Sequence, residues 1–242
     1  MKFNLTRLSL FLAICLVFVS TAMASTTCPS TNYGDYNPAP PGSGPSITCT
    51  TDNLQFSQFG FTSTSGGGAI KPTPSSIGVT VEDPAVTPGL DGPGFDFNPG
   101  FAVGPGGSQD GKISFQVTAL NGTSINDLFI FFNGSVSNPP GGASAVYSET
   151  YCTISFTQGC NIFQVQNPPP NLSQTIWLTP GVTSLYITKD FSVSGGTNGS
   201  AGISTVVNEF SSPVPEPREI GLLIFAMVGL VLAHRKIKAA VN

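Results

Sequence analysis

Lys112-Ile113-Ser114-Phe115-Gln116-Val117-Thr118 alternates polar and apolar side chains at every step. Successive side chains of an extended chain point to opposite faces, so this stretch predicts a strand with one face in a core and the other toward water. Ile77, Val79 and Val81 alternate with Gly78, Thr80 and Glu82 in the same manner. Leu128-Phe129-Ile130-Phe131-Phe132 is apolar on both faces, which predicts a central strand covered on each side.

Further strands are expected near 53–59, 144–151, 161–166, 174–178, 182–193 and 203–210. They are separated by turn clusters such as Pro40-Pro41-Gly42, Gly66-Gly67-Gly68, Pro139-Pro140-Gly141-Gly142 and Pro168-Pro169-Pro170. Short strands at this spacing predict an all-β, antiparallel β-sandwich. No stretch between residues 25 and 213 has the periodicity of an amphipathic helix.

The two ends are of a different kind. Lys2 and Arg7 precede an apolar stretch, Leu8 to Val19, that closes on Ala22-Met23-Ala24. This is the layout of a cleaved signal peptide over residues 1–24, with Ser25 as the new N-terminus and Cys15 removed. At the other end, Ile220 to Ala233 is an uncharged run of 14 residues, followed by the basic Arg235, Lys236 and Lys238. As a helix it reaches about 21 Å, a short transmembrane helix that snorkelling basic residues extend. Those bases place the C-terminus in the cytoplasm and the bulk of the chain outside.

The resulting division is 1–24 signal peptide, 25–45 flexible N-terminal segment, 46–213 β-sandwich ectodomain and 214–242 tail. Residues 25–213 carry 11 acids against the three lysines Lys71, Lys112 and Lys189, a net charge of −8, with no arginine. No basic surface is present to neutralise phosphates, so nucleic acid is not an expected partner. The single histidine, His234, lies in the tail. That excludes Ser-His-Asp and Cys-His catalysis and histidine-bound zinc in the ectodomain. Adjacent Glu82 and Asp83 point to opposite faces of a strand and do not form a glycosidase pair. A non-enzymatic protein without a cofactor is expected.

Cys28, Cys49, Cys152 and Cys160 remain after processing. Four cysteines in an exported chain predict two disulfides, for which three connectivities exist. Proximity in the chain favours Cys28–Cys49 and Cys152–Cys160. Weak oxygen ligands for calcium are offered by Asp91, Asp96 and Asn98, with Glu82, Asp83 and Asp110 nearby, in or beside glycine-rich loops. Solvated loop carboxylates are the simpler reading, because the spacing matches no calcium-binding repeat.

Trp177 alternates onto the polar face of its strand with Thr175 and Thr179, while Ile176 and Leu178 point the other way. A tryptophan there is either a stacking platform for sugar rings or, as favoured from the sequence, a cover on the edge of the core. Lys189 shares a face with Leu185, Ile187, Phe191 and Val193, which a continuous strand would bury. A bulge at Lys189-Asp190 is therefore expected to turn the lysine outward.

Val214-Pro215-Glu216-Pro217, the apolar run and the basic cluster 234–238 together resemble the PEP-CTERM sorting tail of exported bacterial surface proteins. The body of the chain resembles the β-rich ectodomain of many such proteins through the pair Cys152/Cys160 and the step Lys189-Asp190. The resemblance implies recognition by an exosortase-type processing enzyme in the bacterial membrane and delivery to the cell surface or the exopolysaccharide matrix. It implies no catalytic residues. The expected role is a structural or interaction component of the envelope or extracellular polysaccharide. The alternatives are a lectin-like, carbohydrate-binding module using Trp177, and a permanently anchored single-pass membrane protein.

Overall fold

In a computed structural model, Ile113, Phe115 and Val117 are fully buried, whereas Ser114 and Gln116 are half-buried and Lys112 is exposed. The alternation of the quoted stretch is realised in full. The structure describes residues 27–37, 47–82, 92–167 and 172–212. The signal-peptide segment 1–24, the tail 214–242 with Val214, Pro215, Glu216, Pro217, Arg235, Lys236 and Lys238, and the calcium candidate Asp91 lie outside those residues. No helix among the described residues is long and apolar enough to cross a membrane.

Thirteen strands are described: β1 Thr31–Asn32, β2 Cys49–Thr51, β3 Leu54–Gly66, β4 Gly78–Glu82, β5 Gly94–Asn98, β6 Phe101–Val103 and β7 Ser108–Ala119, then β8 Ile125–Ser137, β9 Ser144–Ser155, β10 Gln158–Asn167, β11 Ser173–Val182, β12 Ser184–Ser194 and β13 Ser200–Ser211. One four-residue helix, α1, spans Tyr33–Tyr36. The first sheet runs β10-β9-β12-β7-β3-β2 and the second β1-β4-β5-β13-β8-β11, with β6 also on β13. Every strand pair in both sheets is antiparallel.

The two sheets meet through aromatic rings. Phe56, Phe59 and Phe115 of the first sheet touch Phe95, Phe97 and Phe210 of the second, with centroids 4.5 to 6.4 Å apart. Such offset and edge-on pairs add about 0.5–1.5 kcal/mol each beyond their burial. Tyr33 and Tyr36 close one side of this cluster, and the Tyr33 hydroxyl lies 3.1 Å from Gly60 O and 3.0 Å from Ser114 O, satisfying its buried donor. The expectation of a flexible segment over 25–45 is corrected for residues 27–37. Two fully buried tyrosines and the Cys28–Cys49 bond hold them in the domain.

Two further expectations change. β8 lies second from the edge of its sheet, and while Leu128, Ile130 and Phe132 are fully buried, Phe129 and Phe131 face outward and are only half-buried. The span 182–193 is divided at Thr183, where β11 ends and β12 begins. Both predicted disulfides are formed, and Cys152 and Cys160 are cross-strand partners of β9 and β10.

Candidate functional site

The outer face of the second sheet is assembled by register. Trp177 of β11 stands opposite Asp127 of β8, which stands opposite Ser211 of β13. One row along, Thr175, Phe129 and Glu209 are partners, followed by Ser173, Phe131, Val207 and Asp96. Partners on one face lie about 4.5–5.5 Å apart at Cβ and diagonal neighbours about 7–8 Å apart. Trp177 therefore shares its face with Asp127, directly across from it, and with Phe129 on the diagonal.

Trp177 is 73% exposed, against the expectation that it covers the edge of the core. The physical reason is that Ile176 and Leu178, on the opposite face of β11, already pack against the core. A large ring is left on a hydroxyl-bearing surface with Ser173, Thr175 and Thr179 exposed beside it. Asp127 is only 7% exposed and accepts a hydrogen bond from the Ser211 hydroxyl at 2.8 Å, which ties its carboxylate to β13 on the side away from Trp177.

The calcium candidates are redistributed. Asp96 and Asn98 lie within β5 and not in a loop, and the Asn98 side-chain oxygen accepts from Thr205 Oγ1 at 3.3 Å. Asp110 lies in β7 of the other sheet. Among the described residues no group of three side chains is arranged to hold a metal ion. Burial raises the Asp96 carboxyl above its usual range, opposed by a hydrogen bond with Asn98, and burial followed by the Asp96 charge raises Glu82. Gly94 gives this region its close strand spacing, since a Cβ there would come within 1.9 Å of Asn208 O.

A second constellation lies between the sheets. β12 runs without a register shift past Lys189, which is cross-strand partner to Glu149 of β9, so the expected bulge is absent. The lysine is accommodated in the core because its charge is met there. Lys189 and Glu149 are both 0% exposed, with Lys189 Nζ 2.5 Å from Glu149 Oε2 and 2.7 Å from Tyr147 Oη. The Tyr147 hydroxyl donates to the same Oε2. The ammonium also lies 5.2, 5.5 and 5.9 Å from the ring centroids of Tyr147, Phe97 and Phe115. Burial pulls Lys189 below the ordinary lysine value, with Glu149 acting against it. Burial, then the Glu149 charge, push the Tyr147 hydroxyl well above its own.

Sequence reasoning missed Glu149 and Tyr147, although a signal was present. Ala145, Tyr147 and Glu149 alternate onto one face, as Lys189 does with Ile187 and Phe191. An acid and a base each at an inward position on a predicted strand are what a buried pair requires.

No protein-family model matches the chain, and no curated protein is similar to it in sequence. Similar solved structures include TmCBM61 in complex with β-1,4-galactotriose, at 11% identity and a TM-score of 0.32, covering 62% of this chain and 88% of that one. The xylan-binding module CBM15 is 14% identical with a TM-score of 0.26, covering 68% of this chain and 95% of that one. Endoglucanase 3 of Trichoderma harzianum, from family GH12, is 8% identical with a TM-score of 0.25, covering 62% and 98%. Likenesses this loose carry no argument about what the chain does.

Proposed function

We infer that this protein is an exported, non-enzymatic surface protein whose β-sandwich binds polysaccharide on the outer face of the second sheet. The observation that carries the reading is the 73% exposure of Trp177 on a face of exposed hydroxyls. A sugar ring has an apolar face of C–H groups and an equatorial rim of hydroxyls. It pairs with an aromatic ring below and with hydrogen-bond acceptors at the side. Trp177 supplies the first, and the exposed hydroxyls of Ser173 and Thr175 the second. Two oxidised disulfides agree with an extracytoplasmic location.

The tail sets where this binding takes place. Sorting through Val214-Pro215-Glu216-Pro217 by an exosortase-type enzyme delivers the domain to the cell surface or the extracellular matrix, where polysaccharide is abundant. The role is retention or cross-bridging, not cleavage. Affinity electrophoresis and pull-down of the purified protein on a panel of soluble and insoluble polysaccharides test the reading. Retardation by at least one polysaccharide, lost on Trp177→Ala, is the expected result. No retention of the wild-type protein by any of them would end the carbohydrate reading.

A further inference from the structure

The enclosed group Lys189, Glu149 and Tyr147 has no part in the binding face, and its arrangement is that of reactants as much as of an ion pair. Nζ stands 2.5 Å from one carboxylate oxygen, Oε2, and the carboxyl carbon is one bond further on. The amine and the carboxyl carbon are thereby held as neighbours in one enclosure, the positioning that makes an intramolecular reaction fast. All three groups are fully buried, among Phe97, Phe115 and Phe132. The hydrogen bonds divide the two carboxylate oxygens into different roles. Oε2 receives both the lysine and the tyrosine, while Oε1 has no hydrogen-bond partner.

We propose that Lys189 and Glu149 condense to an intramolecular isopeptide bond, with Tyr147 as the proton relay. The ion pair first exchanges one proton, from Nζ to Oε2, leaving a neutral amine and a neutral carboxylic acid. Full burial among aromatic rings lowers the cost of reaching that uncharged form from the ion pair. Burial of Lys189 acts in the same direction, since it disfavours the ammonium. The Nζ lone pair then attacks Cδ, and the Nζ–Cδ bond forms as the Cδ–Oε2 bond breaks. Tyr147 Oη accepts a proton from Nζ, 2.7 Å away, and its own proton passes to Oε2, which departs as water. Oε1 stays as the amide carbonyl oxygen. One amine and one carboxylic acid give one amide and one water, so no oxidant, reductant or cofactor enters.

The product is a covalent tie between β9 and β12, two inner strands of the first sheet. It removes both buried charges and leaves the carboxyl carbon as a neutral amide. The two disulfides lie elsewhere, one at the β9–β10 hairpin and one joining the N-terminal segment to β2, so this bond would be the only covalent tie among the described residues that crosses from β9 to β12.

Peptide mass analysis decides the matter without reference to sugar binding. Chymotrypsin cuts after Tyr147, Tyr151, Tyr186 and Phe191, giving Ser148–Tyr151 and Ile187–Phe191 from the full protein after reduction and alkylation. The expected result is one branched peptide whose mass is the sum of the two less one water, about 18 Da. Its fragmentation should place the link between Lys189 and Glu149. Lys189→Met should release the two peptides separately, and Tyr147→Phe, which keeps both reactants, should give them largely unlinked. Recovery of both peptides free from the wild-type protein would overturn the bond, and an undiminished branched peptide from Tyr147→Phe would overturn the relay. The bond forms only in the folded enclosure, so each variant is also melted, and unlinked peptides from a Tyr147→Phe protein that unfolds cooperatively assign the relay to the hydroxyl.

Discussion

Replacing Trp177 by alanine separates a binding residue from a structural one. Truncating a fully buried tryptophan costs about 3–5 kcal/mol. Trp177 is 73% exposed, so about a quarter of that loss applies, roughly 1 kcal/mol. In a domain of this size that lowers the melting temperature by about 2–4 °C. Binding should respond far more strongly. Stacking of a nucleobase on an aromatic side chain is worth about 1–3 kcal/mol, and a comparable loss for the C–H face of a sugar is roughly a 5- to 150-fold weakening of affinity. The assay pairs thermal melting with titration of the polysaccharide retained best by the wild-type protein. Tyr186→Ala is the control, since Tyr186 lies in the first sheet, packed on Phe156 at 5.1 Å, and its loss should leave binding unchanged. A Trp177→Ala protein destabilised by more than about 3 kcal/mol would show the side chain to be a core cover. Wild-type affinity in that variant would show that the ligand lies elsewhere.

Asp96, Glu82 and Asp110 all have carboxyls raised by burial, Glu82 and Asp110 also by neighbouring acids. A raised folded-state value means that the protonated form favours the fold. The stability they contribute is present below the ordinary carboxylate range, about 4, and is lost as the pH rises through their folded values toward neutrality. Melting temperature should therefore rise on mild acidification from neutrality, and Asp96→Asn should raise it at pH 7 while flattening the profile. A fall in melting temperature over that interval would contradict the burial argument. Non-reducing peptide mapping should recover Cys28 with Cys49 and Cys152 with Cys160. Removing the second pair with Cys152→Ala and Cys160→Ala should cost about 2–3 kcal/mol in denaturant unfolding, as closure of a short loop predicts. In a host with an exosortase, terminal sequencing of surface-extracted protein should find Ser25 at the start and an end near Pro215-Glu216-Pro217. A chain still ending at Asn242 would favour a permanent single-pass anchor.

Alternation alone made the sheet layers legible. Ile113, Phe115 and Val117 could be assigned to the core from their spacing, because the period of two is a property of the extended backbone and needs no neighbours. The same rule put Trp177 opposite Ile176 and Leu178. Whether that face was covered could not be read from β11, because coverage depends on what packs across it, and only the tertiary structure shows Ile176 and Leu178 filling the core side alone. Asp127 and Phe129 joined Trp177 through the pairing register of β8 with β11, which brings together residues some 50 positions apart. Phe95-Asp96-Phe97-Asn98 alternates plainly, yet glycine-rich surroundings left it in or beside a loop.

Lys189 marks the boundary most clearly. Its inward position on β12 was determined by sequence, but a lone lysine among apolar residues argued for a bulge, since an unmatched buried charge is too costly to keep. The matching charge lies 40 residues earlier on a different strand. Local patterns fix the direction in which a side chain points, because backbone geometry repeats along the chain. What that side chain meets is fixed by strand order and register, and there the partner of Lys189 is Glu149.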